Sequence, residues 1–468
     1  MRARPWSAGP TASAAEAIAK ISAARATAFE ILTLVGEGKG HSDELLHSTR
    51  TEALSPEDHN LTTALVMGVL RWQIALDARV AKLLARPDQT LAAPVALALR
   101  MGAFQLLHMD RIPAHAVLNE SVEMCRAAGQ PHAAGMVNAV LRKLAAAQRQ
   151  GSRVFESTAA FAERLGHPQW LVERWVAAYG REAALTICEA GQHEPGRGAI
   201  FSEADSAADG MDAAAGLAGE DAPRMDDGSR LVAELAAAAM PIATDRATRV
   251  WDCCAAPGGK ALMLALRLRR AEILATDVSL KRLAQMAARL RLYAYAQSVR
   301  CAVVDASAVG GVLEGQLKIQ AEGQCESPYD AKFDLVLCDV PCSGTGTLAR
   351  NPEIRLLLQP KELARQAERQ RAILAGALGR LAPGGRLMYS TCSLEPEENE
   401  QVVEAVASGA AVRRVPAEPL IAMLAERGVL KPDVADGLIG SAVRDGALRT
   451  LPGVHGCDGF FAVVLERA

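Results

Sequence analysis

The sequence predicts a multidomain protein in which an all-α N-terminal helical bundle is followed by an α/β, Rossmann-like domain with a mostly parallel sheet. Three observations predict this division. The first third of the chain has apolar residues at spacings of three and four and no strand-like alternation. From Arg249 onward, short apolar or β-branched runs alternate with amphipathic helical stretches. The length of 468 residues also exceeds what a single hydrophobic core usually serves.

Composition indicates a globular protein and excludes several other classes. Half of the residues are apolar and the mean hydropathy is close to zero. No apolar run is long enough to span a bilayer, and the amino terminus lacks the continuous apolar segment of a signal peptide. The ten cysteines are scattered without a C-x-x-C pair, which is typical of reduced thiols. We therefore expect a cytoplasmic monomer with no membrane segment and no metal.

Residues 1–150 form the predicted all-α part. Amphipathic stretches predict helices over 26–35, 61–85, 94–109, 114–128 and 135–147. Prolines are tolerated in the first turn of a helix, and five lie near the predicted starts: Pro56, Pro87, Pro94, Pro113 and Pro131. This part holds 16 Lys and Arg against 13 Asp and Glu, a net +3 in a chain whose total is −3. That local excess agrees with a surface for nucleic-acid phosphates.

Residues 151–235 are predicted to connect the two parts and to be partly irregular. The polar stretch 148–153 indicates the linker that leaves the bundle. A helix is expected from His167. The stretch 204–229 is small, acidic and poor in large apolar residues, which is typical of loose connecting structure.

Residues 236–468 form the predicted α/β part. Strands are predicted over 249–254, 272–277, 299–305, 333–339 and 385–391, with helices over 260–270, 281–292 and 364–381. Repeated βα units of this kind imply parallel strands with helices on both faces. Ligands of such sheets bind beyond the carboxyl ends of the strands, so the residues there are expected to carry the chemistry.

A glycine-rich turn, DCCAAPGGK, follows the first predicted strand and opens the first helix. Gly258 and Gly259 let the backbone approach a ligand closely. Acids also stand at or near the ends of four successive strands: Asp252, Asp277, Asp305 and Asp339. Four acids suit a ligand with ribose hydroxyls, an exocyclic amine and a positive centre, whereas they would serve a pyrophosphate poorly. S-adenosylmethionine has all three features, so the pattern favours it as the cofactor.

Two cysteines follow the fourth and fifth predicted strands. Cys342 in PCSGTG and Cys392 in STCS stand at neighbouring strand ends of a parallel sheet, so both thiols are expected to face one pocket. Carbon 5 of cytosine becomes nucleophilic once a thiolate has added to carbon 6. A base must later remove the proton at carbon 5 so that the sulfur can leave. The pattern predicts this two-thiol chemistry without deciding which thiol attacks.

The other cysteines and the acids after Cys392 are interpreted structurally. Core packing is expected for four thiols: Cys125, Cys188, Cys301 and Cys338. Adjacent Cys253 and Cys254 lack the spaced partners of a zinc site. In EPEEN, the acids are expected in the first turn of a helix, where they favour the helix dipole: Glu395, Glu397 and Glu398.

Taken together, the motifs resemble those of the Fmu/Sun-type RNA cytosine-5 methyltransferases. DCCAAPGGK, ATD, DVPCSGTGTLARNPEIR, STCSLEPEEN and the terminal DGFFAVVLER match that family in order and spacing. The helical front, with RWQIALD and VNAVLRKL, is similar to the NusB-type RNA-binding bundle. The resemblance covers roughly residues 20–150 and 235–468. Family members with such a front methylate small-subunit (16S) ribosomal RNA, so the resemblance implies that substrate.

The resemblance also implies roles for individual residues. Cys392 would be the thiolate that attacks carbon 6, Cys342 the cysteine that assists release, and Asp339 a contact to the target base. The cofactor would be S-adenosylmethionine. The positions implied to bind it are Cys254, Ala255, Ala256, Pro257, Gly258, Gly259, Lys260, Asp277, Asp305 and Asp339.

Some stretches depart from the family pattern. An Asn-Pro-Pro motif and a Leu-Arg-Val-Asn strand are usual before the catalytic core, and GQHEPGRGAIFSEADS shows neither. MDDGSRLVAEL keeps an acid and Ser229 of the usual lead-in, and Ala261 replaces the usual Thr. Two alternatives stay open: the same chemistry on transfer RNA, and a non-catalytic RNA-binding or ribosome assembly factor that keeps the fold as a scaffold.

Overall fold

The computed structural model describes residues 17–146, 157–193, 196, 200–202, 225–241, 247–308 and 332–468. The chain divides into two compact units, one of residues up to 194 with 348–357, the other of 195–347 with 358–468. The predicted linker at 148–153 and most of the acidic stretch 204–229 lie outside the described residues. In the described part of the chain, no helix combines the length and the apolar character needed to cross a membrane.

The first unit is all-α, as predicted. Its core joins the long helices through buried residues such as Phe29, Leu65, Leu99 and Leu141. Pro87 does not start a helix, because it lies in the loop that separates the fourth and fifth helices. The helices are α1 (Ala23–Gly36), α2 (Ser42–Leu46), α3 (Thr49–Glu52), α4 (Pro56–Ala81), α5 (Ala93–His108), α6 (Ala114–Ala127), α7 (Ala134–Ala146), α8 (Thr158–Arg164), α9 (Gln169–Tyr179) and α10 (Arg181–Ala190).

The second unit is an α/β domain. Its strands are β1 (Arg249–Asp252), β2 (Glu272–Asp277), β3 (Val299–Val303), β4 (Phe333–Asp339), β5 (Leu381–Thr391), β6 (Val412–Val415), β7 (Val443–Arg444), β8 (Ala447–Arg449) and β9 (Phe461–Arg467). The remaining helices are α11 (Asp227–Ala238), α12 (Gly259–Arg267), α13 (Leu280–Leu290), α14 (Ile354–Leu357), α15 (Pro360–Gly379), α16 (Glu400–Ala407), α17 (Glu418–Glu426) and α18 (Pro432–Ser441). Of these, α14 belongs to the first unit.

The strands form one mixed sheet in the order β3-β2-β1-β4-β5-β9-β8-β7, with β6 also paired to β9. Strands β1 to β5 are parallel, which confirms the predicted fold class, and β9 runs antiparallel beside β5. Strands β6, β7 and β8 were not predicted, because runs of two to four residues carry no readable alternation. Strand β9 was not predicted either, although its residues lie in the quoted DGFFAVVLER motif.

Alternate residues of each strand enter cores on opposite faces of the sheet. Val250 and Leu335 belong to one core, whereas Trp251 and Val336 belong to the other. Burial on both faces explains the nearly continuous apolar strands. Strands β2 and β3 lie on one side of β1 in the sheet, and β4 and β5 lie on the other side. The order therefore reverses between β1 and β4, where ligands bind beyond the strand ends.

Candidate active site

Cys342 and Cys392 lie side by side beyond the carboxyl ends of β4 and β5. The two strands are paired with Asp339 opposite Ser390, so the segments that leave them start as neighbours. The Sγ atoms of the two cysteines are 3.3 Å apart. Both side chains are half-buried and neither forms a disulfide. The sheet register thus brings together the two thiols that the sequence singled out.

The two thiols are not equivalent. The hydrogen bond with Cys392, followed by burial, raises the pKa of the Cys342 thiol well above its usual range. Cys342 therefore keeps its proton at neutral pH. A protonated Cys342 can donate that proton in a hydrogen bond to the Cys392 sulfur.

The turn after Cys342 packs against the last strand without room for a side chain. The Gly346 N–H donates to the Cys392 carbonyl at 2.9 Å, and the Gly459 N–H donates to the Gly346 carbonyl at 2.9 Å. A Cβ atom on Gly346 would lie 2.1 Å from the Gly459 carbonyl oxygen. The terminal DGFF motif therefore helps to fix the cysteine turns, and only glycine fits at position 346.

Lys260 and Asp339 form an ion pair next to the thiols. Lys260 Nζ lies 2.7 Å from Asp339 Oδ2, and the Ser390 hydroxyl donates to Asp339 Oδ1 at 2.7 Å. Burial alone would lower the pKa of Lys260, but the charge and hydrogen bond of Asp339 outweigh burial and raise it. Ser229, kept from the family's lead-in, accepts a hydrogen bond from Lys260 at 3.3 Å. The Lys260 ammonium therefore stays charged, and the pair is fixed at the end of β4.

A cavity of about 160 Å³ lies where the strand order reverses. Met225, Asp226 and Ser229 contribute from the start of α11, and Arg289 from α13. Seven of the ten positions implied to bind the cofactor line it: Cys254, Ala255, Ala256, Pro257, Gly259, Lys260 and Asp339.

Asp252 is the most unusual group in this cavity. It is 1% exposed, and within the described part of the chain both of its carboxylate oxygens lack a hydrogen-bond partner. Burial, together with the nearby Asp339 carboxylate, raises the pKa of Asp252 to about 7, although the Lys260 ammonium opposes the rise. The sequence identifies Asp252 only as an acid at a strand end, because its lack of a hydrogen-bond partner depends on tertiary packing.

The other three implied cofactor positions lie near the cavity's rim or along the sheet edge. Gly258 precedes α12 with φ +99°, and a Cβ there would lie 2.6 Å from Met286 Cγ. Asp277 ends β2, and its Oδ1 accepts from the Ser279 N–H at 2.8 Å. Asp305 follows β3 and borders a separate cavity of about 30 Å³ with Trp251 and Phe333. The three therefore share the carboxyl edge but not the larger cavity's lining.

The expected first helical turn at EPEEN is wrong. Helix α16 begins at Glu400, so Glu395, Glu397 and Glu398 all precede it. Glu398 is fully buried, and its carboxylate accepts hydrogen bonds from Ser343 and Ser393. The pattern suggested a helix dipole effect, but the serine donors next to each cysteine hold this acid instead.

Three of the four thiols that were expected in cores are fully buried there: Cys125, Cys188 and Cys338. Cys301 is half-buried at the edge of a core. Burial raises the pKa of Cys188 to about 12 and that of Cys301 to about 11, so neither is a ready nucleophile. Among the residues that the structure describes, no cluster of three or more His, Cys, Asp or Glu side chains could hold a metal ion.

Comparison with known proteins identifies both parts of the chain. Residues 239–466 match the family model of the 16S rRNA methyltransferase RsmB/F, and residues 22–146 match the NusB family. The chain is 32% identical to ribosomal RNA small subunit methyltransferase B of Xanthomonas campestris over 97% of this chain and 99% of that protein. It is 30% identical to the protein of the same name from Klebsiella pneumoniae, over 90% of this chain and 93% of that one.

A solved structure, that of PH0851, has a similar fold. It superposes with a TM-score of 0.66 over 94% of this chain and 97% of that chain, at 19% identity. At this level of identity the likeness concerns the fold alone.

Proposed function

Because the chain belongs to the ribosomal RNA small subunit methyltransferase B family, we propose that it methylates carbon 5 of a cytosine in 16S ribosomal RNA, with Cys392 as the attacking thiolate. The observation that carries this proposal is the 3.3 Å separation of the Cys342 and Cys392 sulfurs beyond the end of β4, where Asp339 lines the acidic cavity. With this substrate, the protein would act in the cytoplasm, as a monomer.

The cavity residues suit S-adenosylmethionine. When bound, this cofactor supplies the methyl group. The unpartnered carboxylate of Asp252 is buried in the cavity, where a cationic group would satisfy it. The backbone at Gly258 and Gly259 allows close approach of a ligand, and Asp277 and Asp305 offer further acceptors along the same edge. The Lys260–Asp339 pair lines this cavity, and Asp339 ends the strand that leads to Cys342, where it can accept a hydrogen bond from the target base.

The two cysteines divide the reaction between them. The Cys392 thiolate forms a bond to carbon 6 of cytosine, which makes carbon 5 nucleophilic. In this adduct the Cys392 sulfur is a neutral thioether, so the main cause of the raised Cys342 pKa is lost. Cys342 can then lose its proton to solvent and, as the thiolate, remove the proton from carbon 5. The electrons of that C–H bond re-form the ring double bond, and the bond from carbon 6 to sulfur breaks.

The two cysteine variants test this division. Cys392→Ser should abolish turnover and form no covalent complex, because the attacking sulfur is gone. Cys342→Ser should leave a protein–RNA adduct that survives denaturing gel electrophoresis, because release is blocked. Buried Cys188→Ser serves as a control that should form no adduct. If Cys392→Ser traps RNA and Cys342→Ser does not, the assigned roles are reversed and the proposal in this form fails.

A further inference from the structure

One buried carboxylate links the two cysteine turns. Glu398 is fully buried. Its Oε1 accepts from the Ser343 N–H at 2.9 Å, and its Oε2 accepts from the hydroxyls of Ser343 and Ser393, the latter at 2.6 Å. Ser343 directly follows Cys342, and Ser393 directly follows Cys392. A single side chain therefore bonds to the neighbour of each thiol.

Glu398 is itself held in place from two other elements, through its carboxylate and through its backbone carbonyl. Gln370 of α15 donates from Nε2 to Glu398 Oε1 and to the Pro341 carbonyl, each at 2.9 Å. The Tyr389 hydroxyl of β5 donates to the Glu398 carbonyl at 2.6 Å. Fixed neutral donors thus take the place of water around the buried carboxyl group.

Such an arrangement costs free energy that an apolar contact would not. Burial of a carboxylate carries a desolvation penalty that hydrogen bonds only offset, and well-packed apolar groups are often at least as stabilising. The donors here are the residues beside the two thiols. A role in fixing the geometry of the two sulfurs therefore explains the buried Glu398 side chain better than a contribution to stability does.

We propose that Glu398 is a positioning residue that sets the separation of the Cys342 and Cys392 sulfurs by bridging Ser343 and Ser393. The role rests on the proposed two-cysteine reaction and deepens it. The thiols lie on separate turns. These turns also meet at the Gly346–Cys392 backbone bond and between the Ser343 and Ser393 hydroxyls, so loss of the Glu398 bridge should shift the sulfurs without separating the turns. A shift of about 1 Å at reacting atoms can cost about a hundredfold in rate.

Disulfide trapping measures the sulfur separation without any RNA. Diamide, an azo oxidant, takes two electrons and two protons from a pair of thiols, so that a disulfide forms and diamide becomes the hydrazine. The rate of Cys342–Cys392 disulfide formation would be followed by peptide mapping under non-reducing conditions. We expect it to be at least about tenfold slower in Glu398→Gln than in the unaltered protein. Loss of the negative charge alone would speed thiol ionisation, so a slower reaction reports geometry.

Methyl transfer provides the second readout. In Glu398→Gln, kcat should fall about a hundredfold while KM for S-adenosylmethionine changes by less than about twofold, because none of the cavity-lining residues is altered. Glu404→Gln, at an exposed acid on α16, is the matched control and should behave as the unaltered protein does. Rates are compared per folded molecule, with the folded fraction taken from thermal unfolding.

The outcomes separate the two proposals. If Glu398→Gln lowers only thermal stability and leaves the trapping rate and kcat per folded molecule unchanged, the positioning role is overturned. If Glu398→Gln does not fold, Ser393→Ala is used instead. It removes the Ser393 bond to Glu398 together with the contacts of that hydroxyl to Ser343 and Thr345, so it should slow trapping about threefold, and an unchanged rate there overturns the role. If trapping depends on Glu398 but no RNA is methylated by the unaltered protein, the positioning role stands and the proposed function fails.

Discussion

Asp252 should make the binding of S-adenosylmethionine depend on pH, and Asp252→Asn should remove that part of the dependence. In the ligand-free protein, burial and the Asp339 carboxylate hold the pKa of Asp252 at about 7, so about half of the molecules carry a proton there at neutral pH. A cationic ligand favours the ionised carboxylate and lowers this pKa. Binding must therefore release the proton, and it becomes tighter as pH rises through 7.

The size of the effect follows from the pKa. If the bound complex keeps Asp252 ionised, the apparent Kd is multiplied by one plus ten to the power (pKa − pH), which is about 11 at pH 6 and about 1.1 at pH 8. The affinity should thus rise about tenfold between these pH values. At pH 7, binding should release about half a proton from this group.

Isothermal titration calorimetry in buffers of different ionisation enthalpy measures both quantities. The ligand's own amine also titrates in this range, so the informative quantity is the difference between the unaltered protein and Asp252→Asn. S-adenosylhomocysteine, which lacks the sulfonium charge, shows how much of the difference depends on that charge. Equal proton release and parallel pH profiles for the two proteins would refute the inference that the unpartnered carboxylate serves a cationic ligand.

Two further predictions concern packing at either end of the PCSGTGTLARNPEIR segment. Gly346→Ala should lower stability by about 1–3 kcal/mol and reduce kcat at least about tenfold, since a Cβ would lie 2.1 Å from the Gly459 carbonyl oxygen. Gly379→Ala is the control, because a Cβ there has no atom within contact distance. Equal activity of the two variants would contradict the steric argument. Arg355→Met should lower the midpoint of thermal unfolding and destabilise the first unit by roughly 3 kcal/mol, because the buried guanidinium donates to four backbone carbonyls there. Arg365→Met, at a largely exposed guanidinium, is its control, and a similar midpoint for both would show that Arg355 adds nothing to the fold.

Sequence patterns predicted the parallel strands and long helices because apolar periodicity follows directly from burial. They also predicted that Cys342 and Cys392 lie close together, since the consecutive parallel strands β4 and β5 end at the same edge of the sheet. The residue-by-residue pairing of β4 with β5 could not be predicted, because no local sequence pattern contains it.

Residues whose role depends on tertiary contacts could not be assigned in this way. Glu398 was read as part of a helical turn because its serine donors lie 55 and 5 positions away in the chain. Arg355 belongs to the motif that carries Cys342, yet its guanidinium is buried in the first unit. The sequence also could not predict that the Asp252 carboxylate lacks a hydrogen-bond partner, because this depends on which side chains pack around it.

The most direct test of the central claim is methyl transfer from radiolabelled S-adenosylmethionine to protein-free 16S ribosomal RNA, with the modified base identified by mass spectrometry. The account predicts label in 5-methylcytosine at one position, absent with Cys392→Ser. Label in another base would contradict the proposed chemistry. No label on 16S RNA, despite demonstrated cofactor binding, would contradict the proposed substrate and favour transfer RNA or a non-catalytic role in ribosome assembly.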